Sequence, residues 1–165
     1  MNTGATFSAD RLHRYTLWRT WSTAPHLTLV LMNPSTADEI SNDATVERGQ
    51  RRAQAGILGE FGGVKVVNVF AWRELNSSKL PRLIAAGTDI IGPENDQAIM
   101  DACLGAGMVI CGWGKLGHNL LGRGPLVKLM LHRLGVKMHT FKVNADGSPK
   151  HPLYVGYDVM PVPYE

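Results

Sequence analysis

His26-Leu27-Thr28-Leu29-Val30-Leu31-Met32 runs directly into Asn33-Pro34-Ser35. The first stretch is a nearly continuous apolar run of strand length, with a proline turn on either side. A run of that kind reads as a strand buried in the middle of a sheet rather than a half-exposed one. The second stretch puts an amide side chain and a rigid turn where the strand ends. In open α/β sheets, ligands bind in the crevice beyond the carboxyl ends of the strands, so the junction is both a fold signal and a candidate site.

Working outward, Arg14-Tyr15-Thr16-Leu17-Trp18-Arg19 alternates polar and apolar, the signature of a half-buried strand. Ser22-Thr23-Ala24-Pro25 is a turn, and the two strands it joins are expected to form an antiparallel edge hairpin. Residues 1–10 are small and polar, which predicts a frayed, flexible start. A helix is predicted over 43–58, with Ser41 or Asp43 as its N-cap and Arg48, Arg51 and Arg52 on its polar face. Val64 to Phe70 is a second strand, rich in β-branched residues. Gly92-Pro93-Glu94-Asn95-Asp96 opens a helix that runs to about Leu104, with proline and acidic groups suited to a first turn. Met108 to Trp113 is a third strand, Pro125 to Leu134 a helix closed by Gly135, and Lys137 to Val143 a fourth strand. Strands alternating with helices predict an α/β fold with a largely parallel sheet and an antiparallel N-terminal edge, in a single domain spanning 1–165.

The bulk composition agrees. The chain has 165 residues, 44% hydrophobic and 19% charged, as in globular domains that bury a core without staples. No stretch reaches the length of apolar residues needed for a membrane span, and no secretory leader is recognisable. Cys103 and Cys111 lack the spacing of a disulfide framework or a metal site, so two buried thiols in a reducing cytoplasm are expected. The net charge of +3 permits contact with a phosphate backbone without requiring it. The basic clusters (Arg11, His13, Arg14 and Arg19; Arg48, Arg51 and Arg52; Lys115, Arg123, Lys128, His132, Arg133 and Lys137) read either as solvated helix faces or as a groove facing nucleic acid.

The strand ends select the candidate site residues. Asn33 is a turn-forming residue before proline, or an amide that holds a water or orients a polar substrate. Pro34 shapes that turn. Ser35 adds a hydroxyl, and the backbone amides beyond Pro34 can meet an anion. Asn68 lies in an apolar strand, and a buried amide left unpaired costs about 1–3 kcal/mol. It therefore pairs with backbone groups or with the donor–acceptor edge of a planar ligand such as a nucleobase. Phe70, Trp72 and Trp113 near strand ends are core, pocket wall or stacking surface. His151, beside Pro152, is an exposed loop histidine or a donor to an oxyanion or departing base. Asp38 and Asp43 are helix-capping acids or auxiliary groups that activate water or bind a cation. No phosphate-binding glycine loop, nucleophile elbow or metal-ligand spacing is present, so no cofactor and no metal are called for.

Several of these segments, taken together, are familiar. Thr6-Phe7-Ser8, Arg14 to Arg19, Met32-Asn33-Pro34-Ser35-Thr36-Ala37-Asp38, Val67-Asn68-Val69-Phe70-Ala71, Gly92 to Asp96, Trp113-Gly114 and His151-Pro152-Leu153-Tyr154 resemble the bacterial and phage family catalogued as domain of unknown function 1643. The order of motifs also resembles, more distantly, the uracil-DNA glycosylase superfamily. That resemblance implies a three-layer α/β/α sandwich with a short, mainly parallel sheet. It implies water activation at Asn33-Pro34, base reading by Asn68 and a late motif at His151-Pro152. Leu153-Tyr154 departs from the continuation usual in that superfamily, and either residue would have to serve as the wedge that enters DNA.

The implied chemistry is hydrolysis of an N-glycosidic bond to a uracil-like, modified or mismatched base, through an oxocarbenium-like sugar and a departing base anion. A DNA substrate would present a flipped nucleotide. Two further classes stay open: an enzyme acting on free nucleotides, nucleosides or another small substrate, and a non-catalytic module that binds nucleic acid or protein. No membrane partner is expected, and cytoplasmic residence follows from the same composition.

Overall fold

The structure is a computed structural model that describes residues 1–165. Seven strands form one mixed sheet: β1 (Asn2–Phe7), β2 (Arg14–Thr20), β3 (His26–Leu31), β4 (Gly63–Asn68), β5 (Met108–Cys111), β6 (Met138–Thr140) and β7 (Val162–Pro163). Their spatial order is β1-β2-β4-β3-β5-β6-β7. The central four, β4-β3-β5-β6, are parallel, and antiparallel pairs flank them on both sides. The helices are α1 (Ala44–Gln54), α2 (Leu80–Ala85), α3 (Asn95–Leu104), α4 (Gly114–Asn119) and α5 (Arg123–Arg133). The α/β class and the mainly parallel centre are as the sequence predicts. The short α2, α4 and β7 carry no periodicity long enough to read.

The apolar run Leu27–Leu31 is fully buried and occupies the middle of the sheet, with β4 on one side and β5 on the other. Its alternate residues feed two cores. Leu27, Leu29 and Leu31 join Val64, Val66 and, from α1, Val46 and Ala53. Val30 joins Val67, Val69, Ile99 and Ala102 of α3, and Val127 and Leu131 of α5. Helices therefore cover both faces of the sheet. Each such side chain contributes about 1.5–3 kcal/mol of burial, which is why this strand takes the centre.

Three expectations are corrected. β2 and β3 do not pair with each other: β2 pairs with β1 and β4, and β4 lies between β2 and β3. The connection crosses the start of β4, where Trp21 and Ser22 donate to the Gly62 carbonyl and Gly62 donates to that of Pro25. A Cβ on Gly62 would stand 2.2 Å from the Ala24 carbonyl oxygen, so only glycine admits the crossing. The flexible start is the second correction, since Asn2–Phe7 is a strand in register with β2. Gly4 lies under the Trp18 ring, and Trp18 Nε1 donates to Asn2 Oδ1 at 2.9 Å. The small residues of β1 are shaped to that ring rather than frayed.

The third correction concerns the basic clusters. Arg14, Arg19, Arg52 and Arg123 are all buried. They neither coat a solvated face nor line a groove, because each guanidinium is spent on backbone carbonyls or buried partners. Arg123 also pairs with Asp96.

Candidate functional site

β3 and β5 are parallel neighbours, and the chain goes on from β3 to β4 on one side and from β5 to β6 on the other, so it leaves their carboxyl ends in opposite directions. That divergence opens a crevice. A cleft of about 710 Å³ occupies it, lined by Asn33, Ser35, Asp43, Glu74, Trp113, Lys115, Asn144, Lys150, His151, Leu153 and Tyr154, among others.

Two local features bring the C-terminal segment to β5. Gly114 N–H, at a φ of +68°, donates to the Pro149 carbonyl at 2.8 Å. Pro152 packs on Gly112, where a Cβ would stand 2.5 Å from the proline Cδ. The preceding turn is held by Asp146, which accepts from Ser148 N–H and Oγ–H. Those bonds hold its carboxyl down to about 2.

Asn33 stands two residues beyond the buried run of β3. Its Nδ2 donates to the carbonyls of Glu74 at 2.9 Å and Pro34 at 3.0 Å. Only the amide nitrogen can donate to two carbonyls, which fixes the orientation of the group. Oδ1 is the polar atom left over, an acceptor without a pKa near neutrality. Pro34 itself is buried beside it, and its carbonyl also accepts from Glu74 N–H.

His151 caps a single 3₁₀ turn over Pro152–Tyr154, accepting through Nδ1 from Leu153 N–H at 3.2 Å. Burial lowers its pKa to about 4, against the pull of the Asp43 carboxylate. The ring is therefore neutral at pH 7. With Nδ1 accepting, its one proton sits on Nε2, so His151 offers a neutral N–H donor.

Asp43 caps α1 by accepting from Val46 N–H at 3.0 Å, and its carboxylate lines the cleft. Trp113 is fully buried at the cleft floor, with Nε1 donating to His118 Nδ1 at 3.4 Å. Leu153 is half-buried, whereas Tyr154 projects from the rim, 73% exposed. Asn33, Ser35, Asp43, Trp113, His151, Leu153 and Tyr154 thus share one cleft.

The other candidates lie elsewhere. Asn68 is at the end of β4, but its Oδ1 accepts from buried Arg14 at 3.3 Å and it does not line the cleft. The same Arg14 donates to the Ala37 carbonyl at 3.0 Å. Asn68 therefore belongs to a buried network that braces the 34–38 turn from behind, its Oδ1 paired with a guanidinium. Its own carbonyl accepts from Asn95 Nδ2. Phe70 is in the core. Trp72 meets His13 edge to face, with centroids 5.5 Å apart. Asp38 accepts from Ile40 and Ser41 N–H, which lowers its pKa and makes it a turn-former.

Sequence reasoning did not single out Glu74, Asn144 or Lys150, and counted Lys115 only among the basic clusters. Lys115 directly follows the Trp113-Gly114 strand end, and Lys150 directly precedes His151, so adjacency to those motifs was the available signal. Glu74 and Asn144 join through loops and carried none. Cys103 and Cys111 are buried free thiols, and burial pushes Cys103 up to about 12. No helix is long and apolar enough to cross a membrane.

Residues 14–153 match the family described as "Protein of unknown function (DUF1643)", and the chain belongs to that family. No curated protein and no solved structure matches it.

Proposed function

We propose that this DUF1643 family member is an N-glycosidic-bond hydrolase of the uracil-DNA glycosylase type, acting on a uracil-like, modified or mismatched base. One observation carries the reading. Asn33 and His151, from opposite ends of the chain, line one cleft with a free acceptor and a neutral donor. Helices on both faces of a parallel-centred sheet support the matching three-layer α/β/α architecture.

In this mechanism Asn33 Oδ1 accepts from a water and holds it toward the sugar; as the C–N bond breaks with its electron pair leaving on the base, the water oxygen bonds to that sugar carbon and releases its proton to solvent. His151 Nε2–H donates to the oxygen of the departing base, where negative charge develops. A ring with a pKa of about 4 does not protonate that base; it stabilises the anion by a preorganised hydrogen bond. The Asp43 carboxylate opposes the positive charge that builds on the sugar. Base-edge recognition falls to polar side chains that line the cleft, Ser35 and Asn144 among them, and Asn68 is left to the buried network. Tyr154, exposed at the rim, is the side chain available to enter a duplex.

A second reading, an enzyme acting on free nucleotides or nucleosides, is favoured by Lys115 and Lys150. Both line the cleft and neither is in an ion pair, which suits a phosphate group. The test for both is release of free base, from oligonucleotides carrying uracil, hydroxymethyluracil or mismatches and from the corresponding mononucleotides. Release from the oligonucleotides that vanishes in Asn33→Ala, His151→Ala supports the glycosylase. Release from mononucleotides alone selects the second reading. Equal release by wild type and double variant removes the site assignment. Unaltered binding by the double variant, with no turnover by either protein, points to a non-catalytic module.

A further inference from the structure

We propose that Arg48 and Arg52 of α1 are positioning residues that set the place of His151 in the cleft; the proposal rests on the role given to His151 above. Between His151 and Val159, ahead of the pairing of β7 with β6, the backbone hydrogen bonds are local: Tyr154 N–H to the His151 carbonyl, Val155 N–H to that of Pro152, and Val159 N–H to that of Gly156. The bonds that tie this segment to the rest of the fold come from α1. Arg48 Nη2 donates to the Val155 carbonyl at 2.6 Å. Arg52 Nη2 donates to the same carbonyl at 2.7 Å and to that of Gly156 at 3.2 Å. The Tyr157 ring lies 4.3 Å from the Arg48 guanidinium and 4.9 Å from that of Arg52, and Arg52 also stacks on Phe141 at 4.3 Å.

This is an expensive arrangement. Arg52 is 3% exposed, neither arginine pairs with this segment through a carboxylate, and the Nε of each is buried without a partner. Taking a cation out of water costs several kcal/mol, and an apolar pair of similar volume would often stabilise as well or better. One carbonyl needs one donor, so two guanidiniums converging on Val155 over-determine its location. α1 is capped at its N-terminus by Asp43, which lines the same cleft. A single rigid helix therefore holds the acid at its N-terminus and, one and two turns later, the downstream end of the loop that carries His151. Spacing between the two groups is set through α1.

The readout is the His151 imidazole, followed by NMR titration of the full chain without substrate, with a thermal melt of each variant. The charged and titratable groups around that ring are Asp43 of α1, the neighbouring Lys150, Lys115 and Glu74 across the cleft, and Tyr154, whose ring centroid is 6.0 Å away. In Arg48→Ala and Arg52→Met, the His151 midpoint is expected to rise from about 4 toward 6.5, by about one unit or more, as the loop loosens and the ring meets water. Arg52→Lys keeps the charge but not the fork, and is expected to shift it in the same direction. A midpoint that stays put while stability falls makes the arginines merely structural and overturns the proposal. A shift in Arg52→Met without one in Arg52→Lys assigns it to charge alone and overturns it equally. If Arg52→Met does not fold, Arg48→Ala and Arg52→Lys carry the test. Failure to release base would refute the hydrolase reading and leave this titration standing.

Discussion

Pro152 rests directly on Gly112: a Cβ on that glycine would stand 2.5 Å from the proline Cδ and 3.2 Å from Leu31 Cδ2. Gly112 is thus the seat through which β5 receives the segment bearing His151. Gly112→Ala is expected to cost about 1–3 kcal/mol by overpacking. It should also lift His151 out of the cleft, so any base release falls more than the lost stability explains. Denaturant titration and a base-release assay on the same protein check this, and a stable, fully active variant would contradict it.

The buried, neutral state of His151 makes stability depend on pH. Its folded pKa is about 4, against 6.5 in an unfolded chain. At pH above 6.5 both states leave it neutral and it has no differential effect. As pH falls from 6.5 toward 4, the unfolded chain takes up a proton that the folded protein refuses, so stability is lost across that window. The loss is about 2–3 kcal/mol. Chemical denaturation of wild type and His151→Gln between pH 7.5 and 4 measures it, with the other titrating groups common to both. Parallel curves would show that the imidazole titrates normally.

Asn33 and Asn68 separate the cleft from its scaffold. Asn33→Ala is expected to lower base release by about 10²–10³, the scale of one preorganised polar group. Asn68→Ala removes the partner of buried Arg14 and is expected to cost about 1–3 kcal/mol while leaving the preference among bases unchanged. A changed base preference in Asn68→Ala would return that residue to base reading.

Gly4→Val tests whether the first strand is part of the fold. A Cβ there would stand 2.2 Å from the Trp18 ring, so β1 must leave its register or Trp18 must move. Stability is expected to fall by about 1–3 kcal/mol, with Trp18 fluorescence shifted toward that of an exposed indole. Unchanged fluorescence and stability would mean that Asn2–Phe7 contributes nothing to folding.

Local patterns made the central strands and long helices legible. The apolar run 27–31 could be satisfied only inside a sheet, Asp43 sat where a helix needed a cap, and Gly92 to Asp96 opened a helix by its own chemistry. The partner of β2 was not legible. A turn such as 22–25 permits either a hairpin or a crossing, and the choice rests on Gly62 yielding to a backbone that arrives from elsewhere. The buried arginines were hidden for a related reason. A guanidinium reads as a surface charge until carbonyls from distant loops, such as Val155 for Arg52 and Ala37 for Arg14, enclose it.

By itself, the sequence determined the central strands, the three long helices and that Asn33 and His151 stand at turns, because side-chain periodicity, caps and prolines act over a few residues. Tertiary structure alone decided that these two share a cleft while Asn68 faces away from it into Arg14. Contacts between residues far apart in the chain depend on which backbones can approach, and here that approach is granted by Gly112 and directed by two arginines on α1.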